Sequence, residues 1–102
     1  MDDTLYIAGQ TGADLKTGQL PEDFDAEVEQ CLDNIGLVLK DAGMSFDNAV
    51  AVQVAMTAMS PFPRMNAVYT AYFKEPRPAR TTVGVAKLVG TARIEVTVTA
   101  HR

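Results

Sequence analysis

The chain is short of the residues on which several kinds of site depend. Its 102 residues include one cysteine, Cys31, and one histidine, His101, so they offer neither an internal disulfide nor a cysteine–histidine zinc pattern. It has no phosphate-loop glycine motif and no apolar run of membrane-spanning length. The acidic segment 1–3 is unlike a signal peptide, and a lone cysteine fits a reducing compartment. We therefore expect a cytoplasmic protein that does not enter a membrane.

Basic residues are also few. Nine lysines and arginines stand against 13 acidic residues, which gives a net charge of −4, and only Arg77 and Arg80 lie close together. A nucleic-acid partner is therefore not expected, because such proteins present a basic surface. Hydrophobic residues make up 47% and charged residues 22%, an ordinary globular balance. This length and composition predict one domain over residues 1–102.

Six segments have the periodicity of regular structure, in the order strand, helix, strand, helix, strand, strand. Their expected bounds are 5–8, 24–42, 49–58, 61–73, 81–88 and 93–100. Ser60 is predicted to cap the second helix, with Pro61 at its first position. Two helices can cover one face of a four-stranded sheet, so we expect a two-layer α+β domain.

The alternation in two strands predicts two unlike sheet faces. One face is apolar: Val50, Val52, Val54 and Met56, with Ile94, Val96, Val98 and Ala100. The other is small and mixed: Ala51, Gln53, Ala55 and Thr57, with Arg93, Glu95, Thr97 and Thr99. The mixed face is too polar for a dry core and poor in lysine for an exposed sheet. We therefore expect it to meet copies of itself in an oligomer.

Arg80 and Glu95 are the candidate functional pair. Arg80 opens one predicted strand and Glu95 lies inside the next. If the two strands are neighbours, as we expect, the cation and the carboxylate would face one small pocket. A guanidinium grips a carboxylate through two parallel hydrogen bonds, and a glutamate can handle a water molecule. The alternative is that both are ordinary surface charges.

Several motifs occur together in the order found in one known family. The main ones are Pro78-Ala79-Arg80, Lys87-Leu88 and Ile94-Glu95-Val96. Supporting stretches are Ala8-Gly9-Gln10, Thr17-Gly18, Leu32-Asp33-Asn34-Ile35, Ala42-Gly43, Asn66-Ala67-Val68-Tyr69 and Tyr72-Phe73. Across nearly its whole length the chain resembles the Rid family of reactive intermediate deaminases, also called the YjgF or L-PSP family.

The resemblance implies a chorismate-mutase-like α+β fold with a four-stranded mixed sheet. It also implies a homotrimer in which the sheets line a central barrel, the helices lie outside and the pockets lie at subunit interfaces. Enzymes of this kind hydrolyse small 2-imino acids, formed from enamines, to 2-keto acids and ammonia. They use no cofactor, so the expected partners are a 2-imino or 2-keto acid and other copies of the chain.

The resemblance further implies a role for each of five residues. Arg80 would bind the substrate carboxylate and Glu95 would position the attacking water. Gly9 would offer backbone groups to the substrate, and Asn66 would lie near the pocket. Thr82 takes a place that is often held by cysteine in the family and is a further substrate-binding candidate.

The chain also departs from the family pattern. It begins at what resembles the family's second strand, so the domain would lack the usual N-terminal strand and the tyrosine that this strand brings to the pocket. Ala8 stands where a serine is common, and the loop 74–78 is shorter and adds Arg77. The absent tyrosine leaves open a non-catalytic trimer that binds small carboxylates. An endoribonuclease or translation inhibitor is less expected, because the chain is acidic.

Overall fold

Residues 3–102, the part of the chain that the computed structural model describes, form four strands and two α-helices in the predicted order. The elements are β1 Thr4–Thr11, α1 Phe24–Asp41, β2 Ala49–Met56, α2 Phe62–Tyr72, β3 Ala79–Gly84 and β4 Ile94–His101, with a short 3₁₀ helix, Phe46–Asn48, before β2. The predicted strand 81–88 was placed too late, because β3 already includes Arg80 and ends at Gly84. Within these residues no helix is both long and apolar enough to cross a membrane.

The helix α1 follows the predicted apolar stripe. Its side chains Val28, Leu32, Ile35 and Leu39 are at most 1% exposed and pack into the core beneath the sheet. The helix begins where Asp23 accepts a hydrogen bond from the Ala26 amide at 3.0 Å. Hydrophobic burial along this stripe fixes which side of α1 faces the sheet.

The start of α2 differs from the prediction. Pro61, not Ser60, is the capping residue, and it provides no side-chain hydrogen bond. The Phe62 amide donates to the Met59 carbonyl at 3.0 Å, so a turn precedes the helix and delays its start. Pro63 then occupies the first turn, where a missing amide proton costs little.

The sheet is mixed, as expected, with strand order β1-β4-β2-β3. The β1–β4 and β4–β2 pairs are antiparallel, whereas β2 and β3 are parallel. The helix α2 forms the crossover that parallel pairing of β2 and β3 requires. In this order β3 lies at the sheet edge, and β2 separates it from β4. The expectation that the strands of Arg80 and Glu95 are neighbours is therefore wrong.

The two faces of the sheet differ as the alternation predicts, with one exception in β2. Val52, Val54 and Met56 are at most 4% exposed and lie beneath the helices. Val50 is 50% exposed, because the pairing with β4 is irregular between Ala49 and Ala51 and a bulge there breaks the alternation. We call the face that carries Ala51 the open face, since neither helix covers it.

An ion pair between a buried carboxylate and a partly exposed guanidinium joins α1 to the start of β4. Glu27 is fully buried, and its two carboxylate oxygens accept from the Arg93 Nε at 2.6 Å and the Arg93 amide at 2.7 Å. The prediction that Arg93 shares the open face with Glu95 is wrong. Arg93 precedes the strand, so alternation does not fix its direction, and the buried carboxylate holds it on the helix side.

Candidate active site

Arg80 is held against α2. Its Nη1 donates to the Asn66 Oδ1 at 2.7 Å, and its Cζ lies 4.5 Å from the centre of the Tyr69 ring and 5.6 Å from that of Phe62. These contacts follow from the register, since Arg80 stands opposite Val52 and so points to the helix side of the sheet. A hydrogen bond and two aromatic rings together fix the guanidinium in one orientation.

A cavity of about 390 Å³ lies beside this guanidinium. Its lining residues are Asn66, Tyr69, Thr70, Arg77, Pro78 and Arg80. Within the described residues, the bond to Asn66 is the only hydrogen bond of the Arg80 side chain, which has five donors. Arg80 therefore has donors left for a carboxylate. We call Asn66, Tyr69 and Arg80 with this cavity the arginine half-site.

Two buried hydroxyls on this side of the sheet have no hydrogen-bond partner in the part of the chain that the structure describes. The Tyr69 Oη and the Thr82 Oγ1 are buried, and neither makes a hydrogen bond within residues 3–102. Burial raises the pKa of Tyr69, although the charges of Arg80 and Arg77 oppose this, so the phenol is a neutral donor at neutral pH. Thr82 follows Arg80 by two residues and shares its face but does not line the cavity.

Glu95 and Gly9 lie together on the other side. Glu95 pairs with Thr11 of β1 and Ala55 of β2, which places it on the open face. A Cβ atom at Gly9 would stand 2.6 Å from the Glu95 Cδ and 2.9 Å from each carboxylate oxygen. Any residue larger than glycine at position 9 would collide with the Glu95 carboxylate where it now lies. Within residues 3–102 this carboxylate makes no hydrogen bond or ion pair. We call Gly9 and Glu95 the glutamate half-site.

The two half-sites of one chain lie on opposite faces of the sheet. Arg80 shares the helix side with Val52, and Glu95 shares the open face with Ala55. The condition on which the pair was expected to share one small pocket, that their strands are neighbours, is therefore not met within a single chain. Asn66 is brought to Arg80 and Gly9 is brought to Glu95, so four of the predicted residues form two separate pairs.

Comparison with known proteins assigns the chain to a family. The model of the family described as endoribonuclease L-PSP matches residues 1–102. The chain belongs to the endoribonuclease L-PSP family. This is the Rid or YjgF family that the sequence motifs resemble.

Relatives in the L-PSP family cover almost the whole chain. The mouse protein named 2-iminobutanoate/2-iminopropanoate deaminase is 40% identical over 97 residues, which are 94% of this chain and 72% of the mouse protein. RidA from an Antarctic Psychrobacter species superposes with a TM-score of 0.96 at 36% identity, covering 100% of this chain and 83% of that one. Escherichia coli TdcF, solved with bound serine, superposes with a TM-score of 0.93 at 27% identity. The match covers 98% of this chain and 81% of TdcF. These superpositions confirm the predicted fold class.

The single cysteine of this L-PSP family chain is a buried core residue. Cys31 packs beneath β1, where its Sγ donates to the Gln10 carbonyl at 3.1 Å and burial raises its pKa to about 12, so it is no nucleophile.

Tyr69 and Arg77 were not predicted as site residues. The available signal was the spacing of Asn66 and Tyr69, which places both on one side of a helix.

Proposed function

We propose that this chain hydrolyses small 2-imino acids to 2-keto acids and ammonia. The observation that carries the proposal is the arginine half-site, in which a fixed guanidinium with unused donors faces a cavity of about 390 Å³. Such a group binds a carboxylate in one orientation. Relatives named as deaminases of 2-iminobutanoate and 2-iminopropanoate support the choice of reaction.

We further propose that the chain forms a homotrimer and that each active site combines half-sites from two copies. Arg80 lies on the edge strand β3, so its cavity opens where another chain can approach. The open face exposes Tyr6, at 75%, and small side chains such as Ala51, which permit a second sheet to pack closely. Burying this face would bring Glu95 of one copy towards Arg80 of the next.

The chemistry needs only binding and proton transfer. Arg80 holds the substrate carboxylate while Glu95 accepts a proton from a water molecule, whose oxygen attacks the imine carbon. The new C–O bond forms as the π electrons of C=N move to nitrogen, which takes up a proton. The amino group of the resulting aminol takes up a second proton and its hydroxyl loses a proton to a base, so that C=O forms as the C–N bond breaks and ammonia leaves. Positioning two reactants in this way can provide most of the acceleration.

A coupled assay tests the proposal. A dehydratase generates the imine, and keto-acid release is followed with wild-type protein, with Arg80→Ala and with Arg64→Ala as the matched control. Arg64 is bound by Asp23 and Asp25 and does not line the cavity. We expect Arg80→Ala to lose the acceleration while its oligomer persists, and Arg64→Ala to keep it. Equal rates for Arg80→Ala and wild type would refute the proposal.

Binding without catalysis is the second candidate. One copy alone contains the arginine half-site, whereas Glu95 is on the other face, so a carboxylate could be bound without the catalytic group. Glu95→Gln separates the two functions: an enzyme loses rate more than affinity, and a binder keeps its affinity and has no rate to lose.

RNA cleavage, which the family's description names, has less support in this chain. The net charge is −4, and Arg64, Arg77 and Arg93 are each paired with a carboxylate. Tight RNA binding that weakens steeply with salt would reverse this judgement.

A further inference from the structure

We infer that Arg77 makes the site selective for 2-imino acids whose side chain carries a second carboxylate. The inference rests on the proposed function and names the substrate class of the same cavity. Three features carry it: a second guanidinium and an unpartnered buried hydroxyl in the cavity lining, and an exposed carboxylate outside that lining, Glu75, which binds the second guanidinium.

Arg77 lines the same cavity as Arg80 and is itself oriented. Its Nε donates to the Phe73 carbonyl at 2.8 Å, which anchors the side chain to the end of α2. Its Nη1 contacts the Glu75 carboxylate at 3.0 Å, so the outer edge of the guanidinium already binds a carboxylate. A ligand in the cavity would therefore meet two oriented cations.

Tyr69 adds a neutral donor to the lining that the two cations share. Its side chain is 2% exposed, and its hydroxyl has no partner within the described residues. The charges of both Arg80 and Arg77 act on this hydroxyl, and the three residues line the same cavity. A buried hydroxyl without a partner costs free energy, which a ligand carboxylate would recover.

The charge balance of the cavity matches a dianion. A 2-imino monocarboxylate would neutralise the charge of Arg80, and Arg77 would keep its ion pair with Glu75. That contact is weak, since the Glu75 side chain is 80% exposed and an exposed ion pair contributes little. A second ligand carboxylate can therefore take the place of Glu75 at small cost, while the bond from Arg77 to Phe73 keeps the guanidinium in position.

Two stable keto acids of equal chain length test this selectivity. Titration calorimetry measures the affinity of the full-length protein for 2-oxoglutarate, a dianion, and for 2-oxopentanoate, a monoanion. The same proteins are assayed on the two corresponding imines, generated from glutamate and norvaline by an amino-acid oxidase. The variants are Arg77→Gln, Arg77→Lys, Glu75→Gln, Arg80→Ala and the control Arg64→Gln.

We expect the wild type to bind 2-oxoglutarate about tenfold more tightly than 2-oxopentanoate, the effect of one charge-assisted hydrogen bond at a half-exposed site. Arg77→Gln should bring this ratio close to one and Arg77→Lys should retain part of it. Glu75→Gln should raise the ratio by removing the competitor, and Arg64→Gln should leave it unchanged. The imine kcat/KM ratios should follow the same order.

The results separate this inference from the function on which it rests. If Arg80→Ala abolishes binding of both keto acids but Arg77→Gln keeps the wild-type ratio, the second carboxylate is not read by Arg77 and the inference is wrong. A wild-type ratio near one overturns it as well. If Arg80→Ala binds both keto acids and hydrolyses both imines like the wild type, the proposed function itself fails.

Discussion

Replacing Gly9 by alanine should remove activity without unfolding the protein. The added Cβ would stand 2.6 Å from the Glu95 Cδ, and ordinary contact begins at about 3.4 Å, so the carboxylate must retreat by roughly 1 Å. The carboxylate is the free end of a flexible side chain, and it can move into the open face. Gly9 does not have the positive φ that would strain an alanine, unlike Gly18, Gly43 and Gly90.

The expected magnitudes follow from this geometry. Misplacing a catalytic group by about 1 Å costs on the order of 100-fold in rate, so kcat should fall by about that factor. The free energy of unfolding should change by less than about 1 kcal/mol, because no backbone has to move. The keto-acid affinity set by Arg80 should change much less than kcat.

Gly12→Ala is the matched control, since its Cβ would collide with the backbone carbonyl oxygen of Glu27, and α1 cannot move aside. We expect it to cost about 2 kcal/mol or more in urea unfolding, the reverse of the pattern at Gly9. Steady-state kinetics and urea titration of both variants check the contrast. A Gly9→Ala protein with wild-type kcat would show that the position of Glu95 is unimportant for the reaction.

Three further outcomes are expected. Asn66→Ala removes the 2.7 Å bond that orients Arg80, so KM for the imine should rise about tenfold with a smaller change in kcat; an unchanged KM would contradict this positioning role. Arg93→Ala leaves the buried Glu27 without its cation and should lower the free energy of unfolding by about 3 kcal/mol in urea titration, whereas a loss below 1 kcal/mol would contradict the buried pair. Burial raises the pKa of Cys31 from its ordinary 9.0 to about 12, so between these pH values only the unfolded thiol ionises and its contribution to stability is lost as pH rises. Wild type should therefore lose stability relative to Cys31→Ala above pH 9, and a pH-independent difference between the two would refute the assignment.

Much of the fold follows from local patterns. The stripe through Val28 and Leu32 and the alternation through Val96 depend on neighbours in sequence, and the structure confirms them. Strand order depends on contacts between distant segments, which periodicity does not encode. The position of β2 between the strands of Arg80 and Glu95 was therefore not predicted.

The candidate site could be predicted from the sequence only in part. The family motifs selected Arg80 and Asn66, and the structure joins them by a hydrogen bond. Tyr69 is apolar in pattern, and its proposed role rests on its ring contact with Arg80 and on a hydroxyl that has no partner within residues 3–102. The proposed role of Arg77 rests on the loop that brings it into the cavity. These roles depend on three-dimensional placement. The sequence offered only the helical spacing of Tyr69 from Asn66, and it gave no sign of a role for Arg77.

Mixing two inactive variants tests the central claim most directly. Arg80→Ala and Glu95→Gln proteins are unfolded together in equal amounts, refolded so that their subunits mix, and assayed on the imine. If each site takes Arg80 from one copy and Glu95 from another, roughly a quarter of the sites in randomly mixed oligomers contain both wild-type residues. The account predicts about a quarter of wild-type activity. No activity beyond that of the separate variants, with mixed oligomers present by mass spectrometry, would contradict it.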